Sequence, residues 1–173
     1  MFSKGLLFIA AVAIQTAIVA LVPAKKIYTL NTGKLITIRT APVDPYDFLS
    51  GYHVILRYEI TSLSDDLFDT LETGQAVYLV LTEGVDGVWE RHSSHFTRPE
   101  TIPEGAVVVK GVKRDWRGVQ FGIETFFIPE KDREPIEHDL RNNAGKALAD
   151  IKVDQFGRAA LVRLRIEDRV YDY

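Results

Sequence analysis

Hydrophobic positions along this chain fall into two regimes. From Gly5 to Val22 no charge interrupts the run, and only Gln15 and Thr16 break its apolar character. As a helix such a stretch is about 27 Å long at 1.5 Å per residue, close to the hydrocarbon thickness of a bilayer. Lys4 precedes it; Pro23, Lys25 and Lys26 follow it. Residues 1–26 are therefore expected to form one transmembrane anchor, contacting the membrane through residues 5–22. A cleaved signal peptide, with Val22-Pro23-Ala24 as its small-residue site, is the competing reading. A buried soluble helix is the third, disfavoured because the run has no polar face.

After residue 26 the period changes to two, and residues 27–173 are expected to form a single β-rich domain. "KIYTL" and "KLITIRT", joined by "NTG", predict a hairpin. "QAVYLVLTE" (Gln75–Glu83) is apolar on both faces, as a central strand is, and "GVWERHS" follows across a turn containing Gly84 and Gly87. "AVVVKGVKR" is placed to pair with "GVQFGIETFFI" across Asp115-Trp116-Arg117-Gly118. Near the C-terminus "LADIKVD" and "RAALVRLRIED" flank Gln155-Phe156-Gly157, with Ala160, Val162, Leu164 and Ile166 on one face and Arg163 and Arg165 on the other.

Two short helices break this pattern. The first starts at Ser64 with Asp65 and Asp66 in its first turn, carries Leu63, Leu67, Phe68 and Leu71 as its stripe, and stops at Gly74. The second has Pro135 near its start, Ile136 and Leu140 one turn apart, and Gly145 at its close. The expected fold is mainly β, a partly closed barrel or sandwich of about 7–9 strands with two peripheral helices. An α+β arrangement is the alternative.

Composition removes several classes of function. The 173 residues carry 21 basic and 24 acidic groups for a net charge of −3, spread along the chain, so no basic field exists to bind nucleic acid. The chain has no Cys, which excludes disulfides, thiolate nucleophiles and Cys-based metal sites. Orientation in a membrane is contested by two signals. Lys25 and Lys26 outnumber Lys4, so a count of positive charges puts the domain in the cytoplasm. The signal-like order of features favours the extracytoplasmic side, periplasm or lumen of an internal membrane, and that is the expectation taken here.

The stretch "DPYDFLSGYHVILRYEI" (Asp44–Ile60) combines a corner with a strand. Asp44-Pro45 with Asp47 in the first turn starts a short helical fragment. Gly51 lets the chain leave it. Tyr52, Val54, Leu56 and Tyr58 then share one strand face, and His53, Ile55, Arg57 and Glu59 the other. Within it, "GYHVILRY" (Gly51–Tyr58) resembles the signature of a family of bacterial membrane-anchored proteins named for the motif GDYXXLXY. Gly51, Leu56 and Tyr58 match, while Tyr52 stands at the family's Asp and His53 at its first Tyr. The resemblance continues through the leading apolar span, "APVDPYDFLSG", "AVYLVL", the "DGVW" turn, "FGIETFFIPE" (Phe121–Glu130) and "VDQFGRAAL". It implies a membrane-anchored protein of uncharacterised function, with no activity, cofactor or catalytic residue to carry over.

Few other groups suggest chemistry. His92 and His95 would face one metal on a helix, with Glu90 nearby, but on a strand i and i+3 point to opposite faces, and no metal is expected. Glu124, on a strand face with Gln120, Gly122 and Phe126, is placed as a desolvated acid or base, as a clamp for Arg57, or as a rim ion pair. Arg158, Arg163, Arg165 and Arg169 load one hairpin with positive charge, interleaved with Asp150, Asp154, Glu167 and Asp168. No phosphate loop, nucleotide-binding glycine pattern or zinc motif occurs, and Ser50 lacks the strand–turn–helix setting of a hydrolase nucleophile. The expectation is a non-catalytic accessory protein without a cofactor, binding a membrane-protein or envelope partner through Asp47, Gly51, Tyr52, His53, Arg57 and Glu124. A membrane-anchored hydrolase built on Glu124, His53 and Asp47 is the alternative.

Overall fold

The computed structural model describes residues 3–41, 53–61, 70–114, 118–143 and 147–172. Asp44, Asp47, Gly51 and Tyr52, most of the helix expected after Ser64, the turn residues 115–117 and Gly145 lie outside them.

Helix α1 spans Lys4–Thr32 and is capped by Ser3, whose hydroxyl accepts from the Leu6 amide. It is long and apolar enough to cross a membrane. That property fits an anchor and a signal sequence equally. It also runs further than expected, so "KIYTL" is helical and the hairpin with "KLITIRT" does not form. The reason is cooperative: a helix already nucleated by the apolar run extends at the cost of one residue at a time, and no breaker follows Pro23 until Gly33. The Thr29 hydroxyl oxygen lies 3.0 Å from the Lys25 carbonyl oxygen, one turn earlier in this helix.

Eleven strands follow among the described residues. β1 (Lys34–Ala41), β3 (Arg57–Tyr58), β4 (Ala76–Glu83), β5 (Trp89–His95), β6 (Val107–Lys113), β7 (Val119–Gln120), β9 (Leu148–Val153), β10 (Ala159–Ile166) and β11 (Arg169–Asp172) build one sheet. Its order is β11-β10-β9-β1-β5-β4-β6-β7, with β3 paired to β1. All pairs are antiparallel except β1 with β5, which meet through Ile38 and Trp89. β2 (His53–Ile55) and β8 (Thr125–Phe127) form a separate ribbon. The second expected helix is α2, Arg133–Asn142, with Ile136 and Leu140 buried as its stripe predicts.

The strand-rich architecture is therefore as expected, but the main sheet is not a closed barrel. It curls enough for the β9–β10 turn to reach β6, where the Lys110 amide donates to the Gly157 carbonyl at 2.7 Å. Gly157 has φ +82°, and a Cβ there would lie 3.0 Å from the Val108 carbonyl oxygen, so the turn admits only glycine without strain. The core is a single buried cluster, in which Ile36, Ile38, Tyr58, Leu79, Leu81, Val109, Ile151 and Leu164 of the sheet join Val54 and Phe126 of the ribbon, Leu56 and Ile123 beside it, and Ile136 of α2. On β10 the expected alternation is interrupted at Val162 by a register shift between Leu161 and Arg163, and Ala160, Leu164 and Ile166 remain the buried set.

Candidate functional site

The motif strand is split in two. Val54, Leu56 and Tyr58 are buried in alternation, as read from the sequence, but β2 pairs with β8 and β3 with β1, so the chain changes partner at Leu56. A turn at 121–124 braces this change. The Leu56 amide donates to the Glu124 carbonyl at 2.8 Å, and the Tyr58 hydroxyl to the Ile123 carbonyl at 2.7 Å. The Glu124 carboxylate accepts from the Phe121 and Gly122 amides. Burial, reinforced by the negative charge of Glu124, pushes the Tyr58 phenol well above its ordinary pKa. It stays protonated and serves as a permanent donor. The Leu and second Tyr of the signature are thus structural, tying the strand to the turn that "FGIE" supplies.

Glu124 is consequently not on a strand face. His53 is half-buried on β2, with its ring 5.8 Å from that of Phe127, which is 65% exposed. Arg57 is exposed on β3 opposite Ala41. Since Leu56 is opposite Glu124 and His53 is opposite Phe127, His53 and Glu124 stand three positions apart along the ribbon, about 10 Å. The structure joins the Glu124 carbonyl to the Leu56 amide, and does not bring its carboxylate to His53. His92 and His95 lie on β5, where the His95 Nε2 contacts the Ser93 hydroxyl at 2.8 Å. No group of three or more metal-ligating side chains occurs among the described residues.

The C-terminal arginines are not a free basic field. Asp150, almost fully buried, holds Arg163 through Nε and Arg165 through a terminal nitrogen at 2.9 Å, and accepts from the Thr37 hydroxyl at 2.7 Å. Burial alone would raise its pKa; the hydrogen bonds from Arg163 and Thr37 and the two positive charges outweigh that and hold it below the ordinary range. Arg169 pairs with Asp139 on α2 at 3.1 Å, an acceptor it shares with the Tyr171 hydroxyl.

Sequence reasoning missed the junction between α1 and the sheet. Thr29, 1% exposed, donates its hydroxyl to Asp154 at 2.7 Å across the whole length of the domain sequence. The same carboxylate accepts from the Arg158 guanidinium at 2.8 Å and from the Phe156 and Arg158 amides. Burial opposes its ionisation, and the bonds from Thr29, Arg158 and Phe156 prevail, leaving the pKa below the ordinary aspartate value. Lys152 donates to the Leu30 carbonyl, and Gln155 to the Tyr28 hydroxyl at 2.9 Å. Gly33 completes the joint. A Cβ there would fall 2.6 Å from the Thr29 carbonyl oxygen and 3.0 Å from the Val153 nitrogen, so the chain leaves the helix flush against β9. The only prior sign was "DQFG", an Asp placed to accept amides of its own turn; its helix partner was hidden by reading "KIYTL" as a strand.

A second polar feature is a cleft of about 230 Å³ lined by Arg39, Glu59, Ile60, Val88, Trp89 and neighbouring β5 residues. Arg39 bridges Glu59 at 3.6 Å and Asp86 at 3.0 Å, so charges of both signs satisfy each other at its rim.

Comparison with curated proteins and with solved structures finds no match. A family model described as GDYXXLXY protein matches residues 15–164, from within α1 to within β10. With the Leu56–Tyr58 half of the signature at the centre of its core, the chain belongs to the GDYXXLXY protein family.

Proposed function

We propose that this protein is a membrane-anchored, non-catalytic accessory protein whose domain is held in a fixed attitude on the extracytoplasmic surface to engage a membrane-protein or envelope partner. The observation that carries this reading is the junction itself. A protein that only needed tethering would be served by a flexible linker. Here the helix that follows the apolar run is bonded to the sheet through Thr29, Leu30 and Tyr28, with no linker between them. A retained anchor is favoured over a cleaved signal for the same reason: cutting at Val22-Pro23-Ala24 would sever the helix just before the turns that dock on the sheet. The exposed apolar side chains of α1, such as Phe8 at 70% and Val22 at 78%, require cover by lipid or protein.

The partner surface in this reading is the motif corner: Asp47, Gly51 and Tyr52 together with His53, its ring neighbour Phe127, and Arg57. Glu124 acts there as a positioning group for the turn. The test is purification of the tagged full-length protein from its own membranes in a mild detergent, beside an anchor-only control, with mass identification of what co-elutes. A stoichiometric membrane partner, lost when the domain is removed, is the expected result; recovery of the protein alone refutes the reading. The side of the membrane is checked separately with Val85→Cys, a fully exposed turn position in a Cys-free chain. Labelling by an impermeant thiol reagent in intact cells is expected after outer-membrane permeabilisation.

A further inference from the structure

Outside the motif, the charges at the Arg39 cleft and around Asp139 pair with one another. At Asp150 both carboxylate oxygens are bonded, while the buried Arg165 Nε has no partner among the described residues. The tip of the β9–β10 hairpin is different. Its turn, Asp154-Gln155-Phe156-Gly157-Arg158, is polar except for Phe156, which is 52% exposed. A single exposed apolar residue is ordinary. What matters is where this one sits.

Contacts between hairpin and helix run in register: Lys152 with Leu30, Asp154 with Thr29, Gln155 with Tyr28. Moving toward the tip of the hairpin therefore means moving back along α1 toward its apolar run. The tip ends against Tyr28, whose ring centroid is 6.0 Å from that of Phe156. The uncharged run from Gly5 to Ala24 is about 30 Å long as a helix, the thickness of the bilayer hydrocarbon. Tyr28 lies four residues past its end, about 6 Å along the axis, and the headgroup layer is roughly 5–8 Å deep on each side. Aromatic residues are favoured in that layer, where an apolar face and a polar edge are both accommodated. Cations surround the pair. The Arg158 guanidinium lies 4.8 Å from the Phe156 ring centre and 5.3 Å from that of Tyr28. Arg98 bonds to the Gln155 carbonyl, and Lys25 is one turn before Thr29 on the same helix face.

We propose that the β9–β10 tip is a second membrane contact: Phe156 and Tyr28 embed in the headgroup layer of the bilayer that α1 crosses, with Arg98 and Lys25 meeting anionic headgroups while Arg158, paired with Asp154, braces the two rings. This rests on the reading of α1 as a retained membrane span. The occupant is lipid, not protein, because the tip's height is set by the helix and its charge suits an anionic surface. Together the span and the tip contact the bilayer at two points, which fixes the tilt of the domain as a single helix does not.

The test uses the full-length protein in vesicles of phosphatidylcholine mixed with phosphatidylglycerol, carrying spin-labelled lipids as quenchers. An environment-sensitive fluorophore is attached at one introduced Cys: Phe156→Cys, Gln155→Cys, Ile14→Cys within the span, or Val85→Cys on a distal turn. Probes at 155 and 156 are expected to be quenched by headgroup-labelled lipid, the probe at 14 by label deep in the acyl chain, and the probe at 85 by neither. Adding Phe156→Ser to the Gln155→Cys protein is expected to reduce its quenching by half or more. Deep quenching at 14 with solvent-like probes at 155 and 156 overturns the tip contact and leaves the anchor standing. An unquenched probe at 14 overturns both. Quenching at the tip that requires other membrane proteins assigns the surface to a protein and overturns the lipid contact.

Discussion

Replacing Tyr58 with Phe removes one atom from the centre of the fold and isolates the role of the signature's final tyrosine. The ring is 1% exposed and its hydroxyl donates to the Ile123 carbonyl at 2.7 Å. In Tyr58→Phe the ring still fills its space, so no cavity term arises. What is lost is the bond, and what remains is a carbonyl without its donor beside the fully buried Ile123 side chain. A buried polar group left unpaired costs about 1–3 kcal/mol, more than the 0.5–1.5 kcal/mol net value of an ordinary hydrogen bond. For a domain of this size each kcal/mol lowers the melting temperature by about 2–4 °C. The assay is urea unfolding of the detergent-solubilised protein, followed by the fluorescence of the buried Trp89. A shift of midpoint with unchanged slope is the expected form. Tyr58→Ala adds a cavity and is expected to cost about 3–5 kcal/mol more than Tyr58→Phe, or to prevent folding. A change below about 0.5 kcal/mol in Tyr58→Phe would refute the assignment, because it would mean the Ile123 carbonyl does not depend on this donor.

Glu124→Ala withdraws the acceptor of the Phe121 and Gly122 amides at a half-exposed turn; a loss of about 1–2 kcal/mol is expected by the same unfolding assay. Asp154→Asn removes the anion that Arg158, about one-third exposed, pairs with, and is expected to cost about 1–3 kcal/mol. The same variant is expected to cut faster under limited proteolysis between Lys25 and Thr32, the segment this carboxylate docks. Asp150 and Asp154 both have lowered folded pKa values, so in acid the unfolded chain binds more protons than the folded one. Their contribution is complete above about pH 4 and is lost as the pH falls through the lowered values; unfolding midpoints against pH are expected to show this, with a shallower acid limb in Asp154→Asn. Gly157→Ala forces a side chain at φ +82° and 3.0 Å from the Val108 oxygen, with an expected loss of about 1–3 kcal/mol, measured by thermal unfolding.

The elements whose evidence is local were legible in the sequence. An uncharged run of bilayer length reads as a spanning helix whatever surrounds it, and the alternations through Val54–Tyr58 and Ala160–Ile166 declare their buried faces because the strand period is two. The turn at Gln155-Phe156-Gly157 and the stripe of Ile136 and Leu140 are signals of the same short range. What residues 27–31 would form was not decided locally, since Ile, Tyr and Leu serve a strand or a continuing helix equally; the nucleated helix before them settled it. Nor could a strand pattern reveal its partners. Antiparallel alternation looks the same against any neighbour, so the parallel meeting of β1 with β5, the change of partner at Leu56 and the capture of Glu124 by two amides emerged only with the tertiary structure. The same holds for Asp154. Its turn is local, but the buried Thr29 that completes its shell comes from the far end of the chain, and only folding brings the N-terminal helix and a C-terminal hairpin to 2.7 Å.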